Sequence, residues 1–124
     1  MIALDTSSLI AFLSGDRGRD VESIDQALEL GQAALPPVVI TEMLSHPGLN
    51  KQVSTLILGL PVLEPHPGFW ERAAATRAAV LARKLRARLA DTLISQSCID
   101  HGVPLITRDR DFLHFAKHAG LSII

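Results

Sequence analysis

A single cysteine, Cys98, stands among the 124 residues of the chain. That excludes an internal disulfide framework and fits a reducing cytosol. Long hydrophobic runs are lacking too. The most apolar stretch, Leu56 to Leu63, is interrupted by Gly59 and Pro61 and is far too short to span a membrane. No basic segment precedes an apolar one at the start, which argues against a secretory leader. Charge of one sign is also scarce: the formal net charge is −1, so there is no global pull toward a polyanion. Repeats, low-complexity segments and a glycine-rich phosphate loop are absent. The chain is therefore expected to be a cytoplasmic, soluble, single domain spanning 1–124.

The composition supports a packed core. Hydrophobic residues make up 48% and charged residues 20%, with a mean hydropathy of +0.27. These values describe a folded domain rather than a disordered chain. The basic residues are unevenly spread. Six of the twelve Lys and Arg lie between Arg72 and Arg88. Arg83, Lys84, Arg86 and Arg88 are the candidates for contact with nucleic acid; the plainer reading is a solvated helix face.

Apolar periodicity predicts alternating strands and helices. Met1 to Leu4 is a buried strand that stops at Asp5-Thr6-Ser7-Ser8 and turns into a helix. Val21 to Leu30 reads as a helix stopped by Gly31. Val38-Val39-Ile40 reads as a short β-branched strand, followed by a helix that Thr41 caps and that carries Glu42 in its first turn. Asn50 caps a helix through Leu58, and Pro61 to Glu64 is a weak strand. The longest helix is expected from Phe69 to Arg86, with Ala74, Ala78, Leu81, Leu85 and Leu89 as its apolar stripe. Ala90 to His101 is a helix ended by Gly102, Val103 to Thr107 a strand, Asp111 to His118 a helix, and Leu121 to Ile124 a final strand. None of these strands alternates in polarity, so the sheet is expected to be mostly parallel and covered on both faces. The predicted fold class is a three-layer α/β/α sandwich.

Four acids fall at the junctions of this pattern: Asp5, Glu42, Asp91 and Asp109. Each has a plainer role. Asp5 could cap the first helix, Glu42 could favour a positive helix end, and Asp91 could cap a helix starting at Thr92. Of Asp109 and Asp111, one should cap the last helix and leave the other free for chemistry. Taken together they are harder to dismiss, because strand-to-helix junctions of a parallel sheet converge on one edge. Two carboxylates about 4 Å apart repel by roughly 4 kcal/mol at an effective dielectric near 20, so such a cluster calls for a cation. Oxygen-only donors suit Mg²⁺ or Mn²⁺, one or two ions, which could position a water and offset charge on a phosphodiester.

Other chemistry is poorly supported. His114 and His118 have i, i+4 spacing but no third ligand, and Cys98 lies on an apolar helix face. A phosphotransferase of the haloacid dehalogenase type would need a second Asp beside Asp5. A response-regulator receiver would need paired acids and a later Lys.

The blocks Ile2-Ala3-Leu4-Asp5-Thr6-Ser7, Val38-Val39-Ile40-Thr41-Glu42-Met43-Leu44, Ala90-Asp91-Thr92-Leu93-Ile94 and Leu105-Ile106-Thr107-Arg108-Asp109-Arg110-Asp111-Phe112 follow in order. In sequence and spacing they resemble a PIN-domain ribonuclease, specifically the VapC-type toxin of a toxin–antitoxin pair. The resemblance covers essentially the whole chain. It implies Mg²⁺- or Mn²⁺-dependent endonucleolytic cleavage of RNA, with tRNA or rRNA as plausible structured substrates. Asp5, Glu42, Asp91 and Asp109 would form the catalytic quartet, with Asp5, Asp91 and Asp109 on the metal. Thr6 and Thr107 would support them, and Asp111 would be an outer ligand or a cap. A homodimer and a small cognate antitoxin are also implied. The chain departs from the pattern at Ser7, where many relatives carry Asn, and at Lys84 to Leu89, which is basic and lacks glycine. Two alternatives compete: a catalytically silent PIN-like binding module, and a metal-dependent phosphoesterase acting on DNA or a small phosphate ester.

Overall fold

A computed structural model describes all of residues 1–124. Three short parallel strands form the sheet: β1 (Ile2–Leu4), β2 (Ala33–Ala34) and β3 (Leu105–Ile106), in the order β2-β1-β3. Ile2 pairs with Ala33 on one side of β1, and Leu4 with Ile106 on the other. Single parallel bridges, Leu35 with Val62 and Leu105 with Ile123, extend each flank. Successive residues on a strand point to opposite faces. Ala3, Leu4, Ala34, Leu105 and Ile106 are all fully buried, so both faces are covered by helices. The three-layer α/β/α sandwich expected from the sequence is the one observed.

Seven helices supply the outer layers: α1 (Thr6–Leu13), α2 (Arg19–Glu29), α3 (Pro37–Leu44), α4 (Lys51–Gly59), α5 (Phe69–Ala82), α6 (Leu89–His101) and α7 (Leu113–Ala119). A 3₁₀ turn, Arg110–Phe112, leads into α7. No helix is long and apolar enough to cross a membrane. Asn50 caps α4 as expected, accepting the Val53 N–H at 2.9 Å, and Gly102 ends α6 in the left-handed conformation.

Several sequence expectations need correction. Val38-Val39-Ile40 is helix, not strand. Pro37 occupies the first helical position, where a missing N–H costs nothing, and this outweighs the β preference of three branched residues. Thr41 is therefore no cap, and Glu42 lies in the last turn of α3 instead of the first turn of a new helix. The strand of this region is Ala33–Ala34, two residues of low β propensity chosen by burial. The expected final strand shrinks to the bridge at Ile123, and the strand at Pro61 to Glu64 to the bridge at Val62. The last helix starts at Leu113, because the 3₁₀ turn takes up Asp111.

Helix α5 stops at Ala82, four residues early, and Lys84 at φ 58 breaks any continuation. Its core contacts are Phe69, Ala73 and Val80. Most of the expected stripe faces outward instead: Ala74, Ala78, Leu81 and Leu89 join Trp70 in an open apolar groove of about 420 Å³.

Phe112 is fully buried at the turn that follows β3, in one core cluster with Leu4 and Ile106. Replacing it with alanine is expected to cost about 3–5 kcal/mol, measured as the loss in urea-unfolding free energy. A cost below about 1 kcal/mol would show that this anchor is dispensable.

Candidate active site

β1 runs straight into α1, and Asp5 occupies the N-cap position between them. Its side chain makes no cap bond. Instead Oδ2 accepts hydroxyls from Ser7 at 2.6 Å and from Thr107 at 2.7 Å. Thr107 follows β3, so the pairing of β1 with β3 brings the two residues together from 102 positions apart. The Thr107 hydroxyl also accepts the Asp109 N–H at 3.0 Å. Asp5 is only 4% exposed, and burial pushes its carboxyl upward against the pull of these hydroxyls.

Beyond Thr107 the chain turns, and Asp109 caps that turn by accepting the Asp111 N–H at 2.9 Å. The capping residue thus also belongs to the acidic cluster. Asp91, in the first turn of α6, meets Asp109 and Asp111 so that one oxygen from each lies within 4.8 Å of the others. Asp5 and Glu42 lie outside this set of three. Glu42 is reached through Thr6, whose hydroxyl donates to it at 2.7 Å. Asp111, expected from the sequence as an outer ligand or a cap, is thus a full member of the cluster.

The electrostatics are those of a site short of positive charge. Asp91 is pushed up to about 6, first by burial and then by the charges of Asp109 and Asp5, with Arg88 opposing. Its Oδ2 is buried and makes no hydrogen bond. One turn further along α6, the buried Ser95 hydroxyl is also unpartnered. Three convergent carboxylates, one carrying an orphaned buried oxygen, form a donor set that fits Mg²⁺ or Mn²⁺. The fit rests on oxygen chemistry alone, since no histidine or thiol joins the cluster.

The basic stretch is not a helix face. Arg72 is tied to Asp100 and Arg77 to the Ala87 carbonyl. Arg83, Lys84, Arg86 and Arg88 occupy the exposed connection between α5 and α6. Arg86 reaches the cluster, 3.6 Å from Asp111 Oδ2. Cys98 is buried, its thiol pushed up to about 12 mainly by burial, so it is no nucleophile.

The PIN domain family pattern matches residues 2–118, and the chain belongs to that family. The fold is similar to that in the crystal structure of VapBC2 from Rickettsia felis bound to a DNA fragment from its promoter, with a TM-score of 0.73 at 17% identity. That match covers 100% of this chain and 98% of the other. FitAcB from Neisseria gonorrhoeae gives 0.70 at 19% identity, covering 100% and 96%. VapBC-5 from Mycobacterium tuberculosis, described as a toxin–antitoxin system, gives 0.67 at 20%, covering 99% and 96%. No curated protein matches the sequence significantly.

Asp91 yields a stability prediction whose sign is fixed. Its folded value, about 6, exceeds its ordinary 3.8, so the folded state binds the proton more tightly. The stability this confers is fully present below about pH 4 and is lost as pH rises through 6. Asp91→Asn removes the repelled charge, so without metal the variant is expected to be more stable at pH 7.5 by about 1 kcal/mol. Thermal melting of both proteins at pH 4 and 7.5 in EDTA measures this. Equal melting temperatures at pH 7.5 would contradict the repulsion.

Proposed function

We propose that this chain is a metal-dependent endoribonuclease, the toxin of a type II toxin–antitoxin pair acting in the cytoplasm. The observation that carries the reading is the meeting of Asp91, Asp109 and Asp111 beside Asp5, with a buried carboxylate oxygen that has no partner. A bound Mg²⁺ or Mn²⁺ would supply charge stabilisation at a phosphodiester and activation of a water. Asp91, Asp109 and Asp111 would hold the ion, with the buried Asp5 adding its charge nearby. Thr107 and Ser7 keep Asp5 fixed through its Oδ2. Glu42, whose Oε1 accepts the Thr6 hydroxyl, is the group proposed to take a proton from water. Asp5, Glu42, Asp91 and Asp109 together are the proposed catalytic quartet.

Arg86 and Arg88 flank the acids, and with Arg83 and Lys84 they offer cations to the phosphate backbone. A structured RNA such as tRNA or rRNA fits a small basic rim, because folded RNA is recognised by shape and phosphate contacts. The partner complexes named for the structural neighbours support a cognate antitoxin here as well.

The apolar groove supports a homodimer. Trp70, Leu81 and Leu89 are 63%, 46% and 60% exposed, and the one charged lining residue, Arg77, donates to the Ala87 carbonyl. Such a face can meet its own copy about a two-fold axis without like-charge repulsion. The protein is expected to run at twice its 13.4 kDa mass in light scattering, and Leu81→Arg at the monomer mass. A parent that stays monomeric at high concentration would rule the dimer out.

Incubation of the purified protein with total cellular RNA tests the activity. Discrete fragments are expected with Mn²⁺ or Mg²⁺ and none with EDTA. Asp5→Asn keeps the side-chain shape while removing the charge, and its cleavage is expected to fall by about a thousandfold. Parental rates in that variant would overturn the assignment. Metal binding without cleavage of any RNA would favour a binding module, and cleavage of DNA or small phosphate esters alone a phosphoesterase.

A further inference from the structure

Asp109 must stay close to Asp91 and Asp111 despite their mutual repulsion, yet the backbone gives it little help. Thr107 and Arg108 make no backbone–backbone hydrogen bond, and the turn beyond is closed by a long one, Phe112 N to Asp109 O at 3.4 Å. The segment is held by side chains instead. Thr107 secures it to Asp5 from the sheet side. Arg108 secures it from the other side. Its Nε donates to Asp20 Oδ2 at 2.7 Å, and its Nη2 to Asp20 Oδ1 at 3.0 Å and to the Arg17 carbonyl at 3.2 Å. This is the two-pronged geometry that only a guanidinium provides.

The far end of the clamp is also fixed. Asp20, at the start of α2, accepts the hydroxyl of Ser8, a fully buried residue of α1, at 2.8 Å. Gly18 lies against the pair with φ +147, and a Cβ there would stand 2.5 Å from Asp20 Oδ1 and 3.2 Å from Arg108 Nη2. The chain therefore needs glycine at this position both for its backbone and to leave room for the carboxylate. Arg108 is the residue between Thr107 and Asp109, so a clamp on its side chain sets the direction in which both neighbours leave β3.

We infer that the Arg108–Asp20 pair positions the acidic cluster, with α1 and α2 bracing the loop that carries Asp109 and Asp111 so that these carboxylates stay at cation-binding distance. Arg108 is a positioning residue: its guanidinium engages Asp20 and the Arg17 carbonyl rather than the acids it serves. The inference rests on the metal-dependent reading above for its purpose, and on the hydrogen bonds alone for its mechanism.

The test uses the full chain with Arg108→Gln, Arg108→Lys, Asp20→Asn and the Arg108→Gln/Asp20→Asn double variant. Amide hydrogen exchange of the metal-free proteins is read at Asp109 and Asp111, with Ala3 in the sheet as the reference. Calorimetric Mn²⁺ titration is read alongside. In each single variant, exchange at Asp109 and Asp111 is expected to rise about tenfold while Ala3 is unchanged. Mn²⁺ affinity is expected to fall by about tenfold or more. The double variant should be no worse than the singles, and Arg108→Lys should not restore the parent, since a single ammonium cannot engage both oxygens. Unchanged exchange at Asp109 and Asp111, or equal acceleration at Ala3, would overturn the positioning role. A parent that binds no Mn²⁺ would sink the metal reading instead, and the exchange pattern would still decide the clamp.

Discussion

Like charges held together against their repulsion are the constraint on which the rest of this structure depends. Asp91, Asp109 and Asp111 each bring a carboxylate oxygen within 4.8 Å of the others, and Asp5 lies near enough to raise Asp91 further. At such separations each pair repels by a few kcal/mol at an effective dielectric near 20. That is a large fraction of the roughly 5–15 kcal/mol by which a domain is stable. The arrangement persists because the elements carrying the acids are fixed by other means. β1 and β3 are paired in the core, α6 is packed on its buried side through Ile94 and Cys98, and Phe112 anchors the turn after β3.

The same division of labour explains the hydroxyls around the site. Ser7 and Thr107 neutralise nothing, but they satisfy Asp5 Oδ2 in a place water scarcely reaches, and Thr6 donates to the half-buried Glu42. Asp91 Oδ2 has no such donor. Had the cluster been a structural ion-pair network, a buried Arg or Lys would be expected beside it. The cations present are instead exposed, on the connection between α5 and α6. That distribution suits a site that leaves room for an external cation.

Much of this was legible in the sequence, and the gaps have physical causes. Strand-to-helix junctions place side chains predictably, so Asp5, Asp91, Asp109 and Asp111 could be picked out at the end of β1, the start of α6 and the turn after β3. The Pro37-led helix has a misleading local signal, because three β-branched residues mask a proline already suited to the first helical turn. The same signal puts Glu42 in a first helical turn when it lies in the last. Ala33–Ala34 was invisible as a strand because alanine has no β signal of its own, and only the shape of the core selects it. The reach of Arg108 to Asp20, across 88 positions, depends on how α2 lies against β3 and has no local signature at all. The outward-facing stripe on α5 shows the limit of periodicity: spacing identifies an apolar face, not which neighbour covers it.

The most direct test of the central claim is to titrate the aspartate carboxyl carbons by NMR, with and without Mg²⁺. The account requires Asp91 to titrate near 6 in the metal-free protein. Saturating Mg²⁺ should then lower that midpoint by about one unit or more, because a bound cation favours the ionised form. An Asp91 that titrates near its ordinary 3.8 and ignores Mg²⁺ would mean that the acids are neither mutually strained nor built around a cation.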